Sequence, residues 1–379
     1  MRSTIYRYGA NAQLFGFEDP ILEVPILNQT LDQYQKAVCA QCGFQIVDLN
    51  NIDELPEQAE TLWYFDAKLV FTAAFFRAAQ EAVQIEKGSH FQFGLDVLPS
   101  VRQHSLPTEP DLEVRTFPFF FRRKDAVSKL ERIDLSGKEF EWEIDMPTQI
   151  IPSGRYSLNQ NAVFASLLLS PFHLLGANMA LNLNRSLPFQ EKLPEWLRTR
   201  ITKPFTRLTS FGLRRMNQKG RNCRIHPSAV VEGCVLGDNV TIGANAVVRM
   251  SVIGAGTFIA DTAVVSFSVL GEKNFVSTGN HLVNSMTYES VFTIHGPYQY
   301  SIFGKNSAVF ATINSDIRLD LKTIKIPTEQ GVHDSGQLLL GVAYGHACKI
   351  GGSNIIAAGR LVPNGYVLNP PDFITLKFE

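Results

Sequence analysis

Three consecutive segments of seventeen residues share one pattern and align without a gap. They are Val235–Ser251, Val252–Ser268 and Val269–Ser285. In each segment aliphatic residues fall five or six positions apart, which is neither the period of a helix nor the alternation of a hairpin sheet. The repeat predicts a solenoid, in which each segment is one structural unit that stacks on its neighbours.

The aliphatic spacing predicts a triangular coil with three short strands. One aliphatic side chain from each strand points to the axis and stacks on its equivalent in the next coil, because a coil cannot bury its face alone. Gly or another small residue often follows these positions, as at Gly237 and Gly243, where the chain must turn a corner. The predicted inward residues are Ile225, Val231, Leu236, Ile242, Val248, Ile253, Ile259, Val265, Leu270, Val276 and Leu282.

This pattern resembles the hexapeptide-repeat transferases, which fold as an all-β left-handed parallel β-helix. The run from Ile356 to Gly365, Ile-Ala-Ala-Gly-Arg-Leu-Val-Pro-Asn-Gly, is similar to the last coils of that family. We therefore expect a β-helix over residues 221–370, with inserted loops around 286–301 and 320–340, and a tail at 371–379. The resemblance implies an acyltransferase that acts as a homotrimer, with acyl-CoA as co-substrate.

Residues 1–186 contain no such repeat. Strand-like and helix-like patterns alternate there, which predicts an α/β domain. The predicted strands are Phe44–Leu49, Glu113–Phe121 and Phe140–Ile144, and the predicted helices are Ala73–Gln84 and Gln160–Leu169.

Two segments of this domain, Val24–Tyr34 and Ser170–Asn178, resemble the sugar nucleotidyltransferases. That family binds nucleotide phosphates with a Gly-rich loop that also carries Arg and Lys. The first thirty residues here contain only two glycines, Gly9 and Gly16, and no Gly-rich loop. We therefore expect a degenerate, Rossmann-like nucleotidyltransferase-like domain, in a layout that resembles the bifunctional uridyltransferase/acetyltransferases.

Residues 187–220 connect the two parts and are rich in Lys and Arg, with prolines at 188, 194 and 204. Two interpretations stay open for this segment. It is either an anion site for a phosphate or coenzyme A, or a solvated helical linker packed on the first coil.

The overall composition argues against two classes of partner. A net charge of −1 gives no indication of nucleic acid or a membrane surface. The longest apolar stretch, Ala162–Leu169, is too short to cross a bilayer. Five cysteines form no disulfide framework, and the N-terminus has no signal-peptide core, so we expect a cytoplasmic protein with a small-molecule substrate.

His281 is the main candidate for catalysis. Val230, Val247, Val264 and His281 each directly precede an inward aliphatic residue, so their side chains should point outward. The resemblance implies a His that deprotonates the acceptor at a site between subunits, and imidazole suits this because its ordinary pKa lies near neutral pH. The outward Val stripe must be covered either by another subunit or by the N-terminal part of the chain.

Other polar residues close to His281 and farther along the β-helix are further candidates. His295 and His346 are alternative catalytic bases, and Lys349 and Arg360 are candidates for the phosphates of coenzyme A. The candidates for substrate binding are Asn280, Asn284, Tyr288, Glu289, Lys305, Asn306, Asp316 and Arg318.

Three other functions stay open at this point. One is a metal enzyme like the γ-carbonic anhydrases, which needs three imidazoles on zinc and would require His281, His295 and His346 to converge. The others are a sugar-phosphate nucleotidyltransferase and a non-catalytic trimeric scaffold or ligand-binding protein. For acyl transfer we expect no metal.

Overall fold

A computed structural model describes residues 3–107, 115–124, 130–149, 154–188 and 207–371. The chain forms two compact units, one of residues 1–141 and 158–180 and the other of 142–157 and 181–379. Most of the predicted basic linker, residues 189–206, lies outside the described residues, as do residues 372–379 of the predicted tail. Among the described helices, none is both long and apolar enough to cross a membrane.

The N-terminal half alternates strands with helices. Its elements are β1 (Ser3–Tyr8), β2 (Pro25–Ile26), β3 (Gln29–Thr30), α1 (Leu31–Gln41), β4 (Phe44–Leu49), β5 (Thr61–Asp66), β6 (Leu69–Phe71), α2 (Ala73–Ile85), β7 (His90–Leu95), α3 (Pro99–His104), β8 (Thr116–Arg123), β9 (Glu131–Leu135), β10 (Glu139–Asp145), β11 (Arg155–Asn161), β12 (Ala165–Leu167) and α4 (Pro171–Asn184). The predicted α/β class is confirmed.

A six-stranded mixed sheet forms the centre of this unit, in the order β4-β1-β5-β8-β7-β9. Strands β4, β1 and β5 are parallel, and β8 is antiparallel to both of its neighbours. One face of the sheet is aromatic. Phe119 on β8 is fully buried, and its ring lies 5.1 Å from that of Phe71 and 5.2 Å from that of Phe76.

The two segments that resemble nucleotidyltransferases each begin a helix, and they contact each other. Thr30 caps α1 through a reciprocal capping box with Gln33. Asn178 on α4 accepts a hydrogen bond from the Leu27 backbone N–H (2.8 Å) and donates one to the Pro25 carbonyl (3.0 Å). This contact fixes the turn between β2 and β3 against α4, while the resemblance itself stays a prediction.

The predicted helix at Gln160–Leu169 is wrong. This stretch contains the end of β11 and the strand β12, which pairs antiparallel with β6, and the helix α4 starts only at Pro171. Periodicity cannot distinguish a short apolar run in a buried strand from one in a buried helix. Proline at the first position of a helix is favourable, since its missing N–H would be unpaired there.

In the second unit the helix α5 (Arg207–Arg215) precedes a left-handed parallel β-helix with three faces. Face A consists of the strands Gln218–Lys219, Val235–Leu236, Val252–Ile253, Val269–Leu270, Met286–Thr287, Ile302–Phe303, Ala343–Tyr344 and Leu361–Val362. Face B consists of Arg224–Ile225, Thr241–Ile242, Phe258–Ile259, Phe275–Val276, Phe292–Ile294, Ala308–Phe310, Lys349–Ile350 and Val367–Leu368. Face C consists of Val230–Glu232, Val247–Arg249, Val264–Ser266, His281–Val283 and Tyr298–Gln299, and the paired strands Ile313–Asn314 and Ile355–Ile356 follow in the later coils.

The predicted stacking of aliphatic residues is confirmed. Parallel pairing joins residues seventeen positions apart, as in Leu236 with Ile253 and Val248 with Val265. From Leu236 to Leu282 the predicted inward side chains are at most 2% exposed and form one continuous core. Most chain corners contain a residue with positive φ, such as Asn222 (56°), Asn239 (59°) and Asn245 (56°), because the left-handed backbone region suits a tight corner.

A second ladder runs along the corner between faces C and A. Ser251, Ser268, Ser285 and Ser301 are fully buried. The hydroxyl of Ser251 accepts from the backbone N–H of Ser268 (3.1 Å), and the same bond recurs in the next coils. The serine that ends each repeat therefore links successive coils by a bond that keeps its own hydroxyl satisfied.

The predicted loop at residues 286–301 is wrong. This segment is a coil with a strand on each face, shortened by one residue, since Met286 pairs with Ile302. The chain leaves the β-helix later, between Asn314 and Ala343. We call residues 315–342 the excursion, and it contains a hairpin of Lys325–Thr328 and Gly331–Asp334.

Candidate functional site

His281 lies on the outside of the fourth complete coil. It begins a strand of face C beside Val264, its side chain is exposed, and the next residue, Leu282, is fully buried. The predicted outward orientation is therefore confirmed, because strand side chains alternate between the two sides. Its catalytic role stays a prediction.

His295 lies on the same edge of the β-helix, one coil later. It is an exposed corner residue between faces B and C with φ 55°. Leu282 pairs with Tyr298, which places Pro297 opposite His281 and His295 two residues away. We call this corner column the B–C edge. It presents two exposed imidazoles on adjacent coils.

Asn280 does not fit its predicted role in substrate binding. The side chain is fully buried, and neither its Oδ1 nor its Nδ2 atom has a hydrogen-bond partner. A Cβ atom on Gly296 would lie 2.8 Å from Oδ1, so the amide points under the shortened corner of the next coil. An amide inside the coil cannot contact a ligand outside it.

A second group of candidates lies at the corner between faces A and B. The His346 ring packs edge-on against Tyr288, with ring centroids 5.1 Å apart, and Nδ1 of His346 accepts from the Lys305 backbone N–H (2.8 Å). The Asn306 backbone N–H donates to the Glu289 carbonyl (3.1 Å). The structure thus brings together five predicted residues, but not beside His281.

The bond to Nδ1 argues against His346 as the base. An Nδ1 atom that already accepts a backbone N–H is not free to accept a hydrogen bond from a substrate. His346 is also only 8% exposed. In this chain it therefore acts as a corner residue that joins two coils.

Two of the remaining substrate candidates, Asn284 and Asp316, lie at or near the corner between faces C and A. Asn284 is a corner residue with φ 47° and is 8% exposed, at the opposite end of its strand from His281. In the next coil the Tyr300 hydroxyl bonds to that of Tyr156. Burial, with Tyr156 and Asp316 nearby, raises the pKa of Tyr300 well above its usual value, which keeps this hydroxyl neutral.

A pocket of about 770 Å³ lies between the excursion and the last coil. It brings together two predicted ligands of anions, Arg318 from the excursion and Arg360 from the coil. Lys349, predicted to accompany Arg360, lies instead on face B, exposed. Two further lysines of the pocket, Lys322 and Lys325, were not predicted as site residues, because both fall in the expected inserted loop at 320–340.

Face B also carries an aromatic ladder on its outside, which was not predicted. Phe258, Phe275 and Phe292 follow one another on the outside of three coils, with ring centroids 5.3 and 4.9 Å apart, and Phe310 continues the ladder. Phe258 is 39% exposed and Phe275 37%. The seventeen-residue spacing of Phe258, Phe275 and Phe292, each one position before an inward residue, was a visible signal.

The described part of the chain contains no ready site for a metal ion. Within the residues that the structure describes, no group of three His, Cys, Asp or Glu side chains is placed to hold a metal ion. His281 and His295 share the B–C edge, whereas His346 lies at another corner of the triangle. The three imidazoles therefore do not converge within one chain.

The start of the β-helix is similar to a known protein family. Residues 220–249 match the sequence profile of the family described as bacterial transferase hexapeptide (six repeats). No curated protein matches the chain. The matched segment covers the first coil and most of the second, so it supports a transferase type of β-helix without identifying a reaction.

Proposed function

We propose that the protein is an acyltransferase, in which His281 is the general base at the B–C edge. The observation that carries the proposal is an exposed His that follows three Val residues in one outward column, on a β-helix whose first coils match a transferase family. The donor is an acyl thioester, with acyl-CoA as the expected form. The acceptor is an amine or hydroxyl of a sugar or other small metabolite.

The chemistry assigned to His281 is one proton transfer. Its imidazole takes the proton of the acceptor N–H or O–H as that atom attacks the thioester carbonyl carbon. The carbon–sulfur bond then breaks, and the thiolate leaves with the proton from the imidazole. The products are the acylated acceptor and the free thiol.

A homotrimer is the second part of the proposal. The two faces that meet at the B–C edge are both apolar on the outside, face B through its Phe ladder and face C through Val247 and Val264. Soluble monomers rarely expose contiguous apolar columns of this kind. Packing of a second copy would cover them and enclose His281 in a groove between subunits.

The test of the reaction is release of free thiol from acyl-CoA in the presence of a panel of amines and amino sugars. We expect the His281→Asn variant to lose at least about 100-fold in rate, the usual contribution of a general base. The matched control is His226→Asn, because His226 is exposed on the same edge at the first coil and bonds only locally to Ser228 (2.8 Å). A His281→Asn variant with the wild-type rate would refute the role of His281.

Sedimentation of the purified protein tests the assembly. We expect a trimer for the wild type and dissociation for Phe275→Glu, which places a charge in the aromatic ladder. Ile85→Glu changes an apolar residue that is 79% exposed on α2, and it should leave the trimer intact. A wild-type monomer would remove the groove from the proposal.

A further inference from the structure

The excursion pocket is distinct from the B–C edge, and its walls come from two segments of the chain. One wall is the hairpin and the residues that precede it, and the other is the corner of the last coil at Ala357, Ala358 and Arg360. A volume of about 770 Å³ lies within the range of sites for small metabolites. The pocket is therefore larger than a single inorganic ion requires.

Close packing fixes these walls relative to each other. The Gly359 backbone N–H donates to the Gly341 carbonyl at the end of the excursion (2.7 Å). Gly359 has φ 71°, and a Cβ atom there would clash with the Lys325 carbonyl oxygen. Glycine at this position thus allows the hairpin to lie directly against the last coil.

The lining is strongly basic. Four cationic side chains surround the pocket, and the one carboxylate among the lining residues is that of Asp334. Its Oδ2 accepts from the Thr323 hydroxyl (2.6 Å) and its Oδ1 from the Gly336 backbone N–H (2.8 Å). These bonds hold the carboxylate in the hairpin. The cations are Arg318, Lys322, Lys325 and Arg360.

Arg318 is already oriented by its neighbour. Asp320 accepts from Nε (2.9 Å) and Nη2 (2.6 Å) of Arg318, which leaves the Nη1 nitrogen for a ligand.

The pocket also has an apolar wall, since Ile324, Val332 and the two alanines line it. A basic rim over an apolar wall suits a molecule with an anionic end and a less polar body.

We propose that the excursion pocket binds a small molecule through its phosphate group. Four cations match a dianionic phosphate better than a single carboxylate, and Arg and Lys are the residues that bind phosphate through charge-assisted hydrogen bonds. The phosphate belongs either to the acyl donor or to a phosphorylated acceptor. The binding itself does not depend on acyl transfer by His281.

Calorimetry at low ionic strength tests the proposal with four probes: inorganic phosphate, coenzyme A, glucose 1-phosphate and unphosphorylated glucose. We expect at least one phosphorylated probe to bind, glucose not to bind, and Arg360→Ala to weaken binding at least tenfold. Lys273→Ala is the matched control, because it removes an exposed cation of the β-helix that does not line the pocket. It should change the affinity less than twofold.

The identity of the bound probe distinguishes the two sources. Binding of coenzyme A that depends on Arg360 assigns the pocket to the donor, and binding of glucose 1-phosphate without coenzyme A assigns it to the acceptor. Arg360→Lys keeps the charge and should retain most of the affinity, which separates loss of charge from loss of folding. If no phosphorylated probe binds, or if Arg360→Ala binds as the wild type does, the proposal is wrong.

His281→Ala should bind the phosphate probe with unchanged affinity. A wild-type rate of thiol release in His281→Asn, together with intact phosphate binding, would therefore leave the pocket assigned while the general base failed. Thiol release that depends on His281, without binding of any phosphorylated probe, would refute the pocket and support the reaction.

Discussion

The hydrophobic cores of the two units consist of different kinds of side chain, aromatic in the N-terminal unit and aliphatic in the β-helix. In the N-terminal sheet, Phe119 contacts six other aromatic rings, which come from residues spread between Trp63 and Phe93. In the β-helix, aliphatic side chains contact their equivalents one coil away, at a constant spacing of seventeen residues. One core depends on distant segments that meet in three dimensions, whereas the other depends on a local rule that repeats.

The sharpest test of this comparison lies in two adjacent valines. Val265 is fully buried on the axis, and Val264 points outward from the same strand. We expect Val265→Asp to destabilise the β-helix by at least about 5 kcal/mol, because a buried carboxylate has no partner there. Val264→Asp should lower the free energy of unfolding far less. Denaturant titration followed by circular dichroism measures both, and equal losses would contradict the predicted alternation.

The aromatic core should be nearly as sensitive to truncation. Phe119→Ala removes a fully buried ring and leaves a cavity among its neighbours, which costs about 4 kcal/mol. Tryptophan fluorescence can follow the unfolding, since Trp63 is part of the cluster. Ile85→Ala, at an exposed position of α2, is the control and should change stability little. A small loss for Phe119→Ala would mean that the cluster is not the core.

Acid should weaken the N-terminal unit through His104. Burial lowers the pKa of His104 to about 4, below the ordinary value near 6.5. The unfolded chain therefore takes up a proton first, and stability present above pH 6.5 is lost as the pH falls towards 4. The loss is on the order of 3 kcal/mol.

Unfolding measured between pH 7 and pH 4 checks this dependence. His104→Leu cannot titrate and should flatten the profile in that interval. The exposed His226→Asn variant should keep the steep profile. An unchanged slope in His104→Leu would exclude this residue as the cause.

The smallest effect distinguishes two buried amides of the β-helix. Asn280→Ala removes an amide without hydrogen bonds and restores the residue found at Ala246 and Ala263, so we expect a gain of about 1 kcal/mol. Asn274→Ala should instead destabilise, because that amide bonds to Gly271, Thr287 and Tyr288 and accepts from Val291. Thermal melting compares the two variants. A loss of stability in Asn280→Ala would show that its amide has a partner such as an internal water.

Much of the β-helix could be predicted from spacing alone. The inward positions from Leu236 to Leu282 and the outward direction of His281 follow once the repeat is aligned. The prediction was wrong where one residue is missing from a coil, at residues 286–301, because a shortened corner interrupts the sequence pattern without interrupting the stacking. Likewise Gln160–Leu169 was assigned to a helix, because its apolar run fits either element.

The candidate site was less predictable than the fold. Residues close together in the sequence were grouped as one site, yet the triangle sends them to different corners. Tyr288 and Glu289 lie at the A–B corner, Asn284 at the C–A corner, and His281 at the B–C edge. Residues five positions apart on such a coil are separated by one side of the triangle, so they lie at different corners.

The sequence by itself determined the coil length, the axis of the β-helix and which side chains face outward, because a constant repeat converts spacing directly into position. Only the tertiary structure decided that Arg318 and Arg360 line one pocket, and that Asn280 is sealed beneath a shortened corner. The pocket is formed by the excursion, and the burial of Asn280 results from a coil that is one residue short. Both features interrupt the repeat, so the repeat spacing could not predict these contacts.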